Sequence, residues 1–175
     1  HLGARAAFEP YPQLYPSIVK GSLNLMQAGI EAGVKTFVFA SSLLVYGDSD
    51  KPIDQHTQPS PMSGYGRAKL EAEQRLADMA AGAGICFVSL RLSHVYGAHS
   101  LLFDRIRNGH IFFPGKGDNP FAHIHIDDAV RAFIQAAENG RPGIWVVADE
   151  QSCTWNQFFK TLQTYHPRLR VMHVS

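Results

Sequence analysis

The run Thr36-Phe-Val-Phe-Ala40, closed by Ser41-Ser42, decides how the rest of the chain is read. Phe37, Val38, Phe39 and Ala40 are apolar without alternation. A strand with one wet face alternates apolar and polar side chains. A short, continuously apolar run marks a strand covered on both faces, as in a parallel sheet.

Upstream, residues 12–32 carry Leu14, Ile18, Gly21, Leu25, Ala28 and Ala32 at steps of three and four, with Leu23, Met26 and Ile30 as a second apolar stripe. The spacing predicts a helix covered on two sides and stopped at Gly33. Downstream, residues 43–62 hold Pro52, Pro59 and Pro61, show no period, and read as a surface loop. Residues 64–81 predict the next helix, with Ala68, Ala72, Leu76 and Ala80 on one face and Gly82 and Gly84 at its end. Ile85-Cys-Phe-Val-Ser-Leu90 reads as a second buried strand, with Cys86 buried and reduced. Helix, strand, loop, helix, strand is the order of an α/β sheet.

Past Tyr96-Gly97 the period weakens. A short helix is expected near 100–108, a strand near 111–113, a turn at 114–118 and a strand at 123–126. A helix over 128–139 capped by Asp127, a strand at 144–147 and a helix over 155–165 capped by Thr154 follow. Arg170–Ser175 reads as a strand still in progress, and His1-Leu-Gly-Ala opens on apolar residues without Met, so both ends are expected to be cut from a longer protein.

The 175 residues are 45% apolar, enough for one core of ordinary size. Sixteen basic residues against 15 acidic ones, a net charge of +1 and no Lys/Arg run argue against nucleic acid as a partner. No apolar stretch approaches the roughly 18–20 residues of a membrane span. No leader is apparent, so a soluble cytoplasmic protein is expected. Cys86 and Cys153 form neither a disulfide scaffold nor a zinc site. His123 and His125 alternate ahead of Asp127 and Asp128, but no third ligand is evident and no metal is expected. Gly115-Lys-Gly-Asp118 lacks the pattern and following helix of a phosphate loop and reads as a turn.

The residues with chemistry are Tyr65 and Lys69, four apart on a predicted helix. That spacing sets an ammonium beside a phenol, which favours phenolate and lets the tyrosine pass a proton to or from a carbinol or carbonyl oxygen. The same pair also occurs on exposed helix faces with no chemical role. Ser42 ends the predicted strand 36–40, and ligands of open parallel sheets bind outside the carboxyl ends of strands. A hydroxyl there could donate to the oxygen that Tyr65 reaches, or merely satisfy backbone groups.

Four segments together resemble one family. Phe39-Ala-Ser-Ser-Leu-Leu-Val-Tyr-Gly47 is similar to the SSxxVYG segment of extended short-chain dehydrogenases of the NAD-dependent epimerase/dehydratase type. Tyr65-Gly-Arg-Ala-Lys-Leu-Glu-Ala-Glu73 resembles their YGxSKLxAE helix, Leu90-Arg-Leu-Ser-His-Val-Tyr-Gly97 their LRxxNVYG, and Ile124-His-Ile-Asp-Asp128 their VHVDD. Order and spacing agree over nearly the whole chain.

The resemblance implies the second half of a doubly wound Rossmann-type parallel sheet plus part of a small C-terminal substrate lobe. Residues 1–97 would be a partial NAD(P)-binding domain with the catalytic residues. Residues 98–175 would be a partial lobe interleaved with the remaining sheet elements, in one structural unit. It implies Ser42, Tyr65 and Lys69 as catalytic residues. Leu2, Gly3, Ala4, Ala40, Ser41, Tyr65, Lys69, Leu92, Ser93 and Val95 would lie against NAD or NADP. Ser42, Leu43, Leu44, His94 and Phe121 would meet a small-molecule substrate. It further implies a homodimer through helices 12–32 and 64–81. A neutral His94, its pKa lowered by Lys69, would take the place of the family's Asn.

The departures bear on function. The family's G-x-x-G-x-x-G loop and the residue that selects NAD or NADP are missing. Ile18 stands for an Asn, and Leu43-Leu44 replace the Asp-Glu of sugar 4,6-dehydratases. Phe121 stands where many nucleotide-sugar enzymes place an Arg. The expected reaction is hydride transfer at a secondary alcohol or carbonyl with Tyr65 as acid/base, on a nucleotide sugar. Two alternatives stay open: a reductase of small carbonyls or steroid-like compounds, and a truncated, non-catalytic remnant or binding protein without the phosphate cradle.

Overall fold

The computed structural model describes residues 1–5, 8–49, 52–54, 56–98, 100–107 and 109–174. Along the chain run α1 (Tyr11–Tyr15), a π turn (Pro16–Lys20), α2 (Gly21–Glu31), β1 (Thr36–Ser42), α3 (Gly64–Ala83), β2 (Cys86–Leu92) and β3 (His94–Tyr96). They are followed by α4 (Leu101–Arg107), β4 (His110–Pro114), β5 (Pro120–Phe121), β6 (His123–His125), α5 (Ile126–Asn139), β7 (Gly143–Val147), β8 (Cys153–Thr154), α6 (Trp155–Tyr165) and β9 (Arg170–Val174). Two compact units divide the chain: His1–Leu92 with Val130–Val147, and Ser93–Ala129 with Ala148–Ser175.

The first unit is built on a parallel sheet of order β1-β2-β7. Thr36 lies opposite Cys86 and Ser42 opposite Leu92, so β1 and β2 end level. The backbone of His1 runs against the other edge of β1, its carbonyl accepting from Ala40 N at 3.1 Å and its amine donating to Val38 O at 2.7 Å. Phe37 and Phe39 enter a core with Leu14, Ile18, Met26, Leu76 and Phe87. Ala68, Ala72 and Ala80 of α3 face the same core, and their small side chains let the helix lie close to the sheet. Gly66 carries this furthest, since a Cβ there would overlap the carbonyl oxygen of Leu44.

Helix α3 runs through Gly82 to Ala83, two residues past its expected end, and takes a cap that the sequence reading did not name. Ser63 Oγ accepts from Gly66 N at 3.0 Å, and Gly84, at φ 66°, closes the C-terminus with Ile85 N donating to Ala80 O at 2.9 Å. The predicted helix 12–32 instead contains a π turn from Pro16 to Lys20, with Gly21 N donating to Pro16 O. Pro16 has no N–H for the α ladder, and the wider turn takes up an extra residue. The buried residues Leu14, Ile18, Ser22 and Met26 therefore recur at steps of four, while Leu25 is left 46% exposed and Ala28 and Ala32 face out.

Other boundaries move too. β1 and β2 run on to Ser42 and Leu92, and residues 43–45 form a 3-10 turn rather than open loop. Asp127 is not a cap, because α5 already starts at Ile126 and Asp127 sits in its first turn. Cys86 is free but only half-buried, its thiol donating to Gly140 O at 3.3 Å. Thr154 caps α6 in a reciprocal box with Gln157, as expected.

The second unit holds three strand pairs: β3–β6 and β4–β9 parallel, β5–β8 antiparallel. Its core gathers Ile106, Ile111, Phe121, Phe158, Phe159, Leu162 and Leu169. Trp155 stacks on Phe121 with ring centroids 3.6 Å apart.

Inside the first unit lies a buried polar network. Arg91 on β2 donates to both carboxylate oxygens of Glu73 on α3, from Nη2 at 2.5 Å and from Nε at 3.2 Å. Ser89 Oγ donates to the same carboxylate at 2.6 Å. Arg91 Nη1 donates to the Tyr46 hydroxyl at 2.7 Å, and that hydroxyl donates to Asp54 O at 2.7 Å. Glu73 is 1% and Arg91 3% exposed. Removing one partner of such a pair leaves a buried charge unmatched, whereas replacing both with apolar groups is often neutral. Glu73→Gln should therefore cost about 3–5 kcal/mol in chemical denaturation, and Glu73→Met with Arg91→Met should recover most of it. Equal losses in the single and double variants would show that the pairing itself is not what the fold requires.

Candidate active site

Ser42, Tyr65 and Lys69 lie in the first unit around the carboxyl end of β1. Ser42 is the last residue of β1 and half-buried, with Oγ accepting from Leu44 N at 3.2 Å at the start of the 3-10 turn. Leu43 is half-buried and Leu44 41% exposed in that turn. Tyr65 and Lys69 sit in the first two turns of α3. Lys69 is 3% exposed; its ammonium donates to Ala40 O at 2.7 Å and lies 4.9 Å from the Phe39 ring centroid and 5.6 Å from that of Tyr65.

The electrostatics differ from the sequence expectation. Burial holds the Tyr65 phenol above its ordinary value, and burial lowers the Lys69 ammonium to about 8. In this state Tyr65 keeps its proton at neutral pH. The i, i+4 spacing does bring phenol and ammonium together, but loss of water around each outweighs the attraction expected between them.

Leu2 and Gly3 are exposed and Ala4 half-buried, just after the His1 backbone that pairs with β1. Leu92 ends β2. Ser93, His94, Val95 and Phe121 belong to the second unit. His94 opens β3 and is exposed as a whole, with its ring 5.3 Å from Phe121 and 5.8 Å from Trp155. Partial burial of that ring, and then His123 opposite it in the β3–β6 register, lower its pKa. The direction is the one expected; the neighbour that contributes is His123, not Lys69. Phe121 is 5% exposed and committed to its stack on Trp155. Val95 lines a cavity of about 450 Å³ with Tyr96, Gly97, His125 and Asp127. His123 and His125 each pair with a carboxylate, Asp149 and Asp127, at 3.5 Å. Among the described residues no three metal-capable side chains gather, and no helix is long and apolar enough to cross a membrane.

The sequence model of the NAD dependent epimerase/dehydratase family matches residues 3–148. The chain belongs to that family. A UDP-glucose 4-epimerase of Rhizobium meliloti (strain 1021) is 38% identical over 85 residues, 48% of this chain and 26% of that protein. Among solved structures, MoeE5 in complex with UDP-glucose and NAD superimposes with a TM-score of 0.89 at 26% identity, over 100% of this chain and 64% of that one. The UDP-glucose 4-epimerase of Thermotoga maritima with UDP-glucose gives 0.88 at 25% identity, over 99% and 62%. The chain thus has the α/β, parallel-sheet fold of Rossmann-type epimerases, and it spans less than half the length of the curated relatives it matches.

One feature of this family member tests its fit to NAD. Ser41 Oγ, at the carboxyl end of β1, is buried without a hydrogen-bond partner among the described residues. A buried hydroxyl left unmatched is costly, and strand ends of open α/β sheets are where ligands bind. The strand end fits a polar ligand group on that ground. Ser93 Oγ, in the second unit, is unmatched in the same way.

Tyr46, Glu73 and Arg91 carry no role in the sequence reading, although all three stand inside the quoted motifs. A charged residue inside an apolar strand, as Arg91 is in Val88-Ser-Leu-Arg-Leu92, was the available signal.

Lys69 yields a pH test. Unfolded, it keeps its proton to near 10.5; folded, it releases it at about 8. Between those values the unfolded chain binds more protons, so rising pH favours the folded state. Against Lys69→Met, the wild-type protein should gain about 2 kcal/mol from pH 8 to pH 10 in urea denaturation. A stability difference that stays flat over that range would mean the ammonium is solvated.

Proposed function

We propose that the protein carrying this chain moves hydride between a nicotinamide cofactor and a secondary alcohol or carbonyl carbon of a nucleotide sugar. The anchoring of Lys69 on Ala40 O carries the reading, because it ties the Tyr65 face of α3 to the strand end that holds Ser41 and Ser42. NAD would supply the two-electron acceptor. Ala40, Ser41, Tyr65 and Lys69, with Leu2–Ala4 and Leu92, would hold it.

Tyr65 would give its proton to a carbonyl oxygen or take one from an alcohol. With its phenol pushed up by burial, it holds its proton and so starts in the acid form. Ser42 would donate to the same oxygen and so orient it. Lys69 would favour the phenolate whenever Tyr65 must act as base, and could donate to ribose hydroxyls. The nucleotide-sugar substrate is supported by the UDP-glucose in the complexes of MoeE5 and the Thermotoga maritima epimerase. The turn Leu43–Leu44 would meet the substrate. A homodimer through α1–α2 and α3 belongs to the same reading, with the exposed Leu25 as one apolar side chain it would cover.

In the full-length protein, Tyr65→Phe should lower kcat with UDP-glucose by about 10²–10⁴-fold and leave KM near the wild-type value, as steady-state kinetics will show. A kcat within threefold of wild type would remove Tyr65 from the chemistry, by roughly the margin that separates general acid–base catalysis from none. For the assembly, light scattering that finds only monomer at micromolar concentrations would overturn the dimer.

A further inference from the structure

The polar network of Arg91 joins the helix that carries Tyr65 to the turn that follows Ser42, and nothing in the proposed chemistry uses it. Tyr65, Lys69 and Glu73 follow each other at steps of four on α3, so they share one face of the helix. Glu73 is held by two hydrogen bonds from Arg91 and one from Ser89. The same guanidinium lies 4.7 Å from the ring centroid of Tyr46 and donates to its hydroxyl. Tyr46 in turn closes the 3-10 turn that follows Ser42, with its N–H donating to Leu43 O at 3.0 Å. Its hydroxyl then ties down Asp54 O, eight residues further along the loop.

One planar guanidinium is thus the common reference for the helix that carries Tyr65 and the turn that Ser42 caps. The fork geometry matters here. Arginine donates in fixed directions in one plane, so it sets orientation as well as distance. A second point of contact lies at Gly66, whose missing side chain lets α3 rest on the backbone of Leu44. Two separate contacts between the same two elements remove most of their freedom to slide.

Burial of such a pair is a poor source of stability, since apolar side chains of similar volume often do as well. What it provides is a single allowed arrangement. Displacement by about 1 Å of groups that must converge on one reacting atom can cost on the order of 10²-fold in rate.

We propose that Arg91 is a positioning residue, which through Glu73 and Tyr46 sets the spacing of the Tyr65 and Ser42 hydroxyls. The inference rests on the reading of Tyr65 and Ser42 given above. It assigns Arg91, Glu73 and Tyr46 no contact with substrate or cofactor.

Tyr46→Phe in the full-length protein is the cleanest probe, because it removes one hydroxyl and leaves the Glu73–Arg91 pair intact. Two measurements decide the matter. In amide hydrogen exchange, the Leu44 N–H that donates to Ser42 Oγ should exchange about tenfold faster in the variant, while Phe37–Ala40 of β1 stay protected as in wild type. In single-turnover reduction of bound NAD by UDP-glucose, the amplitude counts folded sites and the rate reports their geometry. The variant should keep the amplitude and lose about tenfold in rate. A purely structural role would do the reverse, with lower amplitude and an unchanged rate, and would overturn the proposal. Unchanged exchange at Leu44 would overturn it as well, whatever the substrate proves to be. Tyr65→Phe in the same assay separates the two readings. If Tyr65→Phe abolishes reduction and Tyr46→Phe leaves the rate unchanged, the positioning inference alone fails. If Tyr65→Phe reduces NAD at the wild-type rate, the assignment of Tyr65 fails.

Discussion

The ion pair between Glu73 and Arg91 is the constraint around which the first unit is arranged. Both charges are withdrawn from water, so each must be matched by the other and by hydrogen bonds to its remaining atoms. Ser89 and Tyr46 meet that requirement, and in doing so they fix where β2, α3 and the turn after β1 stand relative to one another. A core of interchangeable apolar side chains can repack after small displacements. A fully matched polar cluster cannot, because any slip leaves a buried charge short of a partner.

Close packing makes the cluster possible. The alanines on the inner face of α3 and the bare Gly66 let the helix approach β1 and the Leu43–Val45 turn closely enough for Lys69 to reach the carbonyl of Ala40. The same approach strips water from Tyr65 and Lys69. Burial therefore governs both groups in this state: it raises the phenol and lowers the ammonium. The consequence for chemistry is a tyrosine that holds its proton and a lysine that sits near its titration point rather than far below it. Neighbouring charge alone would have suggested the opposite for the phenol.

The α1–α2 helix shows a different kind of constraint. Pro16 breaks the α ladder and the π turn restores a continuous path, so the buried stripe keeps its heading over Leu14, Ile18, Ser22 and Met26. Ser22 is buried there, its hydroxyl donating to Ile18 O at 2.5 Å and lying 2.9 Å from the His1 ring nitrogen. A helix read at 3.6 residues per turn assigns Leu25, Ala28 and Ala32 to the wrong side, since a single wide turn rotates every later residue.

Local pattern alone was enough to determine the class of the fold. The unbroken apolar runs in β1 and β2, the alanine face of α3, the Thr154 cap and the stops at Gly33 and Gly84 all act over a few residues, and they appear as read. The Tyr65–Lys69 spacing and Ser42 at a strand end were likewise legible, because a helix period and a strand terminus are local facts. The Arg91 cluster was not, for its members lie up to 45 residues apart and meet only once α3 has packed on the sheet. Nor was the sign of the Tyr65 shift. Spacing along a helix reports which charges are neighbours, but a pKa also depends on how much water remains, and only tertiary packing decides that. Phe121 and Trp155 make the same point in the second unit: nothing in sequence marks either as the other's partner, and their stacking follows from the pairing of β5 with β8 just ahead of α6.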